Sequence, residues 1–458
     1  MRTIYTRSVI DRATEDKLWE SGVIVFDTSA LLNFYYMTPD FQRVMSDILH
    51  FLSGRIWVPL QVIWEFEKNR ENTMRKPKTE KYQDNDIQNN HLVADIQGLI
   101  EQWEEQYYHP YIAKDKLDSI KTSLAIIKPE VEKIKTLLAF EYQARRKEIE
   151  DIIDDDKIVE AVRSLSHGDA FTYSEIKSIM NEGSIRYANQ AAPGYADADG
   201  KKGVHKYGDF IIWKEMLRQA KQMHRDMIFV TNDVKADWLI LEDKKKGDCD
   251  GYYTKEEIGH PKRELLAEFE EETGQQIWFY KTSDFIGKIE DLYKPESGEM
   301  EFYGKLGLVR DALFRAERDR RIHDDKSTES LLIRCDTCHQ LFEVYANELS
   351  YDWTAEVEDA DRGMGEEWLH ESYETCECPH CESQIDIKLQ IWEYPLGIMN
   401  LQNIEVDGGT LEESIDLSDY KPFDDYEECE RCGQRAILNE YHLCPACEAE
   451  FEEFMNED

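Results

Sequence analysis

The chain has 458 residues, with 96 Asp and Glu against 55 Lys and Arg, a formal net charge of −41 and 41% hydrophobic residues. This length exceeds one ordinary core and implies two or three domains, and the hydrophobic fraction is too high for a disordered chain. The acidity argues against a generally basic nucleic-acid-binding surface, and no apolar run approaches the ~18 residues of a membrane span.

The acid is uneven. Residues 301–458 carry 41 acidic and 13 basic side chains, residues 1–300 carry 55 and 42. A nucleic acid would therefore meet the first part. The second part would repel it, contact a protein partner or mask a site, unless its charge serves solubility alone. The opening MRTIYTRSVIDRATEDKLWE has no apolar signal core, so a cytoplasmic location is expected.

In chain order, residues 1–20 read as a short helical preface. Val23–Phe26 is an apolar strand ending at Asp27, where Asp27-Thr28-Ser29 offers a helix N-cap and Ala30–Tyr36 continues as helix. Ile56–Val58 is a second strand, and Pro59 opens a helix carrying Glu65. Within residues 79–165, Leu92, Ile96, Ile100, Trp103 and Tyr107 recur at helical spacing. So do Leu117, Ile120, Leu124 and Ile127, then Val131, Ile134 and Leu138, with Pro110 and Pro129 as punctuation. This predicts a helical insertion, either a cap over a site or a scaffold covering the sheet. Residues 191–207 form a polar Gly-rich loop. Gly208–His224 is a helix beginning at Asp209, Met227–Thr231 a strand ending at Asn232-Asp233, Leu265–Thr273 a helix and Ile277–Tyr280 a last strand.

Strands alternating with helices predict a parallel α/β sheet, whose ligand sites lie beyond the carboxyl ends of the strands. Asp27, Glu65, Asp209 and Asp233 all fall at strand ends or helix starts. Four acids gathered at one edge need a cation. An all-oxygen donor set suits Mg²⁺ or Mn²⁺, whose usual task is phosphodiester hydrolysis. Each acid also has a plain explanation. Asp27 and Asp209 can be N-caps, Glu65 can pair with Lys68 or Arg70, and Asp233 can close an Asx-turn. Four such coincidences at one sheet edge are harder to accept than one metal site.

Five blocks occur in order over roughly residues 20–290: FDTSALLNFYY, VPLQVIWEFEKNR, EGSIRYANQAAPGYADADGKKGVHKYGDFIIWKEML, IFVTNDVKADW and HPKRELLAEFEEETGQQIWFY. Together they resemble the PIN-like nucleases, and more narrowly a bacterial subgroup with a long helical insertion. The subgroup often has two prolines before its Gly-Tyr, where this chain has Ala192-Pro193-Gly194-Tyr195.

The resemblance implies an α/β fold with a parallel-sheet PIN-like nuclease domain over residues 1–295, its helical insertion at 79–165. It implies a metal-dependent endonuclease using Asp27, Glu65, Asp209 and Asp233, with Asp197 and Asp237 as additional acids, leaving 5′-phosphate and 3′-hydroxyl ends. RNA is the expected substrate ahead of DNA, with a role in bacterial antiviral defence or toxin-like growth arrest. A structure-specific DNA nuclease is the first alternative. The other is an inactive scaffold that recruits a protein partner through its zinc module. Candidate phosphate contacts are Lys68, Arg70, Arg75, Lys76, Lys201, Lys202, Lys206 and Lys235, with Arg70 and Lys235 favoured because each belongs to an acid block.

Nine of the ten cysteines follow residue 330, which points to metal in a chain expected to be cytoplasmic. A helical linker is expected over 296–330, its RDRRIHDDKSTES end at 318–330 being polar. A first cysteine-rich zinc-binding module follows over 331–420 and a zinc ribbon over 421–458. Cys429, Cys432, Cys444 and Cys447 form two CxxC knuckles, a strong signal for structural Zn²⁺. Cys335, Cys338, Cys378 and Cys381 form a second candidate set, in which Cys376 or His380 can replace a ligand. Small modules of this kind fold because they bind metal. Cys249 reads as an ordinary thiol, and the tail EAEFEEFMNED as a solvated helix end. Trp353, Trp368, Trp392 and Tyr394 are read as core aromatics, with base stacking as the alternative.

Overall fold

The computed structural model describes residues 10–83, 92–104, 112–196, 202–233, 235–241, 259–293, 303–324, 329–359, 366–395, 397–423, 427–428, 431 and 435–436. The chain divides into two compact units, Met1–Arg310 and Asp311–Asp458.

The first unit is a parallel α/β layer. Strands β1 (Val23–Phe26), β4 (Met227–Val230) and β5 (Ile277–Tyr280) are buried along their whole length and pair in parallel in the order β1-β4-β5. Strands β2 (Trp57–Val58) and β3 (Ser166–His167) also pair in parallel, and an Ile24–Ile56 bridge sets β2 on the free side of β1. The order is thus β3-β2-β1-β4-β5. Chain direction around the sheet reverses between β1 and β4, and a crevice opens beyond the strand ends at such a switch point.

Local sequence explains the helices around this sheet, beginning with α1 (Arg12–Ser21), which Asp11 caps. Asp27 caps α2 (Thr28–Asn33), and the chain then tightens into a 3₁₀ turn at Phe34–Tyr36, so the helix expected through Tyr36 is α-helical only to Asn33. Pro39 opens α3 (Pro39–Phe51) and Pro59 precedes α4 (Leu60–Glu80). Helix α9 (Gly208–Met223) stops at His224, which takes the left-handed conformation at φ 51°. Helix α10 (Arg263–Thr273) stops the same way at Gly274, and α11 (Thr282–Leu292) follows β5. Phe26, Phe34, Phe210, Trp213, Phe229, Phe269 and Phe285 are fully buried, so burial of large rings dominates this core.

The insertion contains α5 (Leu92–Glu104), α6 (Lys114–Asp154, 41 residues) and α7 (Lys157–Ser164). Helix α6 is pinned to α4 where Glu150 meets Arg75 at 2.6 Å and Lys78 at 2.7 Å. Ile126, Ile134, Leu137 and Phe140 on α6 remain exposed. Helix α8 (Tyr173–Ala188) starts with a complete capping box between Thr172 and Glu175.

The second unit begins within α12 (Leu306–Asp324). Strands β6 (Ser330–Cys335), β7 (Leu341–Tyr345) and β12 (Gly409–Glu413) form an antiparallel sheet in the order β12-β6-β7. Strands β8 (Thr354–Asp359), β9 (Glu367–Glu377), β10 (Gln384–Glu393) and β11 (Met399–Asp407) form another in the order β11-β10-β9-β8. Leu331, Ile333, Phe342, Ile385, Ile387, Leu389 and Ile391 are buried in one cluster with Cys335 and Cys378. The first cysteine module therefore has an apolar core of its own, more than a small metal-held module would need. Trp353 packs against this core and its indole donates to the Tyr420 carbonyl at 3.1 Å. Trp392 donates to Glu358. Strands β13 (Glu427–Glu428) and β14 (Arg435–Ala436) pair antiparallel.

Within the stretch expected as a helical linker with a polar end, α12 runs to Asp324. Arg318 is only 5% exposed. Its guanidinium donates to Ser330 Oγ at 3.2 Å and the Ser330 carbonyl at 2.6 Å, and it pairs with Glu413. The charge of Arg318 is thus met by β6 and β12. Among the described residues no helix is long and apolar enough to cross a membrane.

Candidate active site

The switch point is where the acids converge. Asp27 leaves β1, and its Oδ2 accepts from Ser29 Oγ at 2.6 Å, from the Ser29 amide at 3.4 Å and from Thr231 Oγ1 at 3.0 Å. Ser29 Oγ in turn accepts from the Asn232 amide, and Thr231 Oγ1 from the Asp233 amide, both at 3.0 Å. These hydroxyls lace the end of β1 to the end of β4 and fix Asp27 beside Asp233. Asp27 is thus an N-cap and a site acid at once, because the cap uses one of its oxygens.

Glu65 reaches the same place from α4. Thr28 Oγ1 donates to its Oε2 at 3.1 Å and Gln61 Nε2 to its Oε1 at 2.7 Å. Asp209 arrives as the second residue of α9. Two glycines make the approach possible. A Cβ on Gly208 would stand 2.7 Å from Glu65 Oε1. A Cβ on Gly194, whose φ is +87°, would stand 2.4 Å from the Tyr187 hydroxyl and 3.0 Å from Asp209 Cβ.

The electrostatics register the crowding. Burial, then Asp27, Asp233 and Glu65, push Asp209 up to about 8, against a smaller opposing pull from Lys235. Asp233 is pushed up to about 6, by burial first and by Asp27 and Asp237, with the Lys235 ammonium at 2.9 Å working the other way. Glu215 on α9 is also buried, which lifts it to about 7, and it accepts from the Gln61 amide at 3.2 Å. It thereby caps α4, whose Pro59 supplies no side-chain cap.

Asp237 is 0% exposed. Its Oδ2 holds the Ala196 amide at 3.0 Å, and its buried Oδ1 has no hydrogen-bond partner among the described residues. Nor does any described residue donate a hydrogen bond to the Asp209 carboxylate. An acid without donors, an orphaned buried carboxylate oxygen and two raised acids, Asp209 and Asp233, all call for positive charge, and an all-oxygen set fits a hard divalent cation. Among the described residues no three of these carboxylates come within 4.8 Å of one another.

The remaining candidates are placed as follows. Lys235 pairs with Asp233 at this edge. Arg70, expected at the phosphate backbone, is instead tied to Asp156 at 2.8 Å and flanked by Glu67, in a network that also holds the Tyr35 hydroxyl. Arg75 is held by Glu150. Lys68 lies 4.8 Å from the centre of the Trp64 ring and Lys206 6.0 Å from that of Tyr187. Asp197, Lys201, Cys249, Cys429, Cys432, Cys444 and Cys447 lie outside the described residues. Thr28, Ser29, Gln61, Gly208 and Thr231 hold the acids and were missed as site residues. The signal was adjacency, since Thr28 and Ser29 follow Asp27 and Thr231 stands two before Asp233.

In the second unit, Cys335, Cys338, Cys378 and Cys381 bring four sulfurs within 4.8 Å of one another. Cys335 and Cys381 are 3.6 Å apart, Cys338 and Cys378 3.7 Å. Four thiolates ~2.3 Å from one Zn²⁺ lie ~3.8 Å apart, so this cluster can hold zinc. The two knuckles repeat one backbone pattern. The Cys335 amide bonds the Gln340 carbonyl and His339 bonds back to Cys335, while Cys378 bonds Ser383 and Glu382 bonds back to Cys378. His339 and Glu382 both take φ 60°. His380 faces the Leu341 carbonyl at 3.1 Å, and the four gathered sulfurs are those of Cys335, Cys338, Cys378 and Cys381, without Cys376. Burial pushes Cys338 up to about 12, whereas the Ser383 hydroxyl and amide hold Cys381 down at about 6.

Residues 23–250 match the family model described as a PIN like domain. No curated protein and no solved structure matches the chain.

Proposed function

Because residues 23–250 are a PIN-like domain, we propose that the chain is a divalent-metal-dependent nuclease that hydrolyses phosphodiester bonds. One observation carries the reading: four acids from four separate elements meet at the sheet's switch point, where burial first, and then Asp27, Asp233 and Glu65, push Asp209 up to about 8.

Asp27, Glu65, Asp209 and Asp233 would hold Mg²⁺ or Mn²⁺, with Asp237 and Asp197 as further acids. The bound ion supplies an activated water and neutralises the charge of the phosphoryl group. The protein's own groups prepare the site. Ser29 and Thr231 aim Asp27, and Thr28 and Gln61 aim Glu65. Asp237 holds the chain at Ala196, next to Asp197. Lys235 offsets Asp233 and stands where a phosphate arrives. RNA ahead of DNA, an endonucleolytic cut and a defence or growth-arrest role rest on the family resemblance. The cysteine cluster is read as a structural zinc site of the acidic second unit, whose charge favours a protein partner over nucleic acid.

The test compares wild type with Asp27→Asn and Asp209→Asn on labelled single-stranded RNA and DNA in Mg²⁺, Mn²⁺ and EDTA, with Mn²⁺ binding followed by calorimetry. The expected result is metal-dependent cutting, and metal binding, lost in both variants. Wild type that binds no divalent cation at this site and cuts neither strand would falsify the reading and favour a scaffold.

A further inference from the structure

Beside the acids lies an aromatic pair that the metal chemistry does not use. Trp64 precedes Glu65 on α4 and is 45% exposed, unusual for so large an apolar ring. Its ring stacks on that of His205, with centroids 5.3 Å apart and planes within 14° of parallel. His205, itself exposed, lies in the 3₁₀ turn Gly203–Tyr207 that leads directly into Gly208 and Asp209. The same turn therefore carries one stacked ring and delivers one site acid, and the same turn of α4 carries the other ring and Glu65. Lys68 stands over the Trp64 ring at 4.8 Å, and Lys206 is the next residue after His205. Exposed parallel rings with the Lys68 ammonium beside them match the two chemistries of an unpaired nucleotide, a flat base and a phosphate.

We propose that Trp64 and His205 form a stacking site for an unpaired base next to the scissile phosphate, with Lys68 meeting the adjoining backbone. This rests on the nuclease reading and deepens it. The ligand class is single-stranded nucleic acid, because a duplex keeps its base faces inside its own stack. Stacking on a ring is open to every base, so the site selects strandedness and not sequence.

A purely structural clamp between α4 and the 203–207 turn is the rival, and three variants of the full chain separate them. Trp64→Leu, Trp64→Phe and His205→Ala are measured for KM and kcat on oligoadenylate in its RNA and DNA forms, with and without one abasic site at each position near the cut, alongside thermal melting. The site predicts that Trp64→Leu raises KM about tenfold with kcat and melting kept, in line with the ~1–3 kcal/mol of one stacked base. Trp64→Phe stays near wild type and His205→Ala shifts KM in the same direction. One abasic position erases the difference between wild type and Trp64→Leu. A kcat or melting loss with KM unchanged, or a Trp64→Leu effect that no abasic position removes, overturns the stacking site while leaving the nuclease intact. Wild type that neither binds nor cuts any strand overturns the nuclease reading itself.

Discussion

Asp209 illustrates what a gathered set of acids costs. Its folded pKa of about 8 stands above the ordinary 3.8, so between those values the folded chain holds a proton that the unfolded chain releases. Stability without metal therefore falls as pH rises through that window. Asp209→Asn removes the penalty, and its melting temperature in EDTA should exceed that of wild type at pH 8 by more than at pH 5. The same change should cut metal-dependent cleavage at least ~100-fold, since a ligand should matter no less than the groups that orient it. Equal gains at both pH values would remove the electrostatic account.

Gly208 gives the complementary case. Alanine is the better helix former by about 1 kcal/mol, yet its Cβ would press on Glu65 Oε1, the end of a flexible side chain that yields. Gly208→Ala should keep or raise stability in denaturant titration while weakening Mn²⁺ binding in calorimetry. Unchanged Mn²⁺ affinity would show that Glu65 is not a ligand. At this scale the acids were legible because each interrupts an apolar run. Gly208, Thr231 and Ser29 were not, because a hydroxyl or a missing Cβ acquires meaning only beside the carboxylate it meets.

Among elements, the junction of α4 and α9 shows packing and charge acting together. Glu215 caps α4 from a neighbouring helix, and burial lifts it to about 7. By the same sign argument its charged form costs stability above that pH and not below its unfolded value. Glu215→Gln keeps an acceptor for the Gln61 amide and removes the charge. It should therefore stabilise the chain at pH 8.5 relative to wild type and have little effect at pH 4.5, read by chemical denaturation. Strands β1, β4 and β5 were readable as short apolar runs bounded by turn residues. The short β3 carries Ser166 and His167, neither a strand signal, and only pairing with β2 reveals it. Helix α12 falls in the stretch expected to be helical, but the burial of Arg318 was not readable, since it depends on Ser330 and on Glu413 from far along the chain.

At the scale of the whole molecule, the gathered donor groups divide by type, carboxylate oxygens in the first unit and cysteine sulfurs in the second. Cys378→Ser should lower zinc content, measured by elemental analysis, by one atom per chain. It should also lower the melting transition of the second unit and leave that of the first in place. Unchanged zinc content would show that the four-cysteine cluster does not hold the ion. The apolar cluster around Ile333 and Ile387 predicts that this unit loses stability without losing all its strand structure, visible in far-ultraviolet circular dichroism.

The sequence by itself determined the alternation of strand and helix in the first unit, the helical insertion, the acids that end its apolar runs and the cysteine spacing, because each is a local pattern within a few residues. Tertiary structure alone decided the β3-β2-β1-β4-β5 order, the convergence of Asp27, Glu65, Asp209 and Asp233, the gathering of Cys335, Cys338, Cys378 and Cys381, the pairing of Arg70 with Asp156, and the Trp64–His205 stack. Those facts depend on distances between residues up to two hundred positions apart, and such distances exist only once the chain has packed.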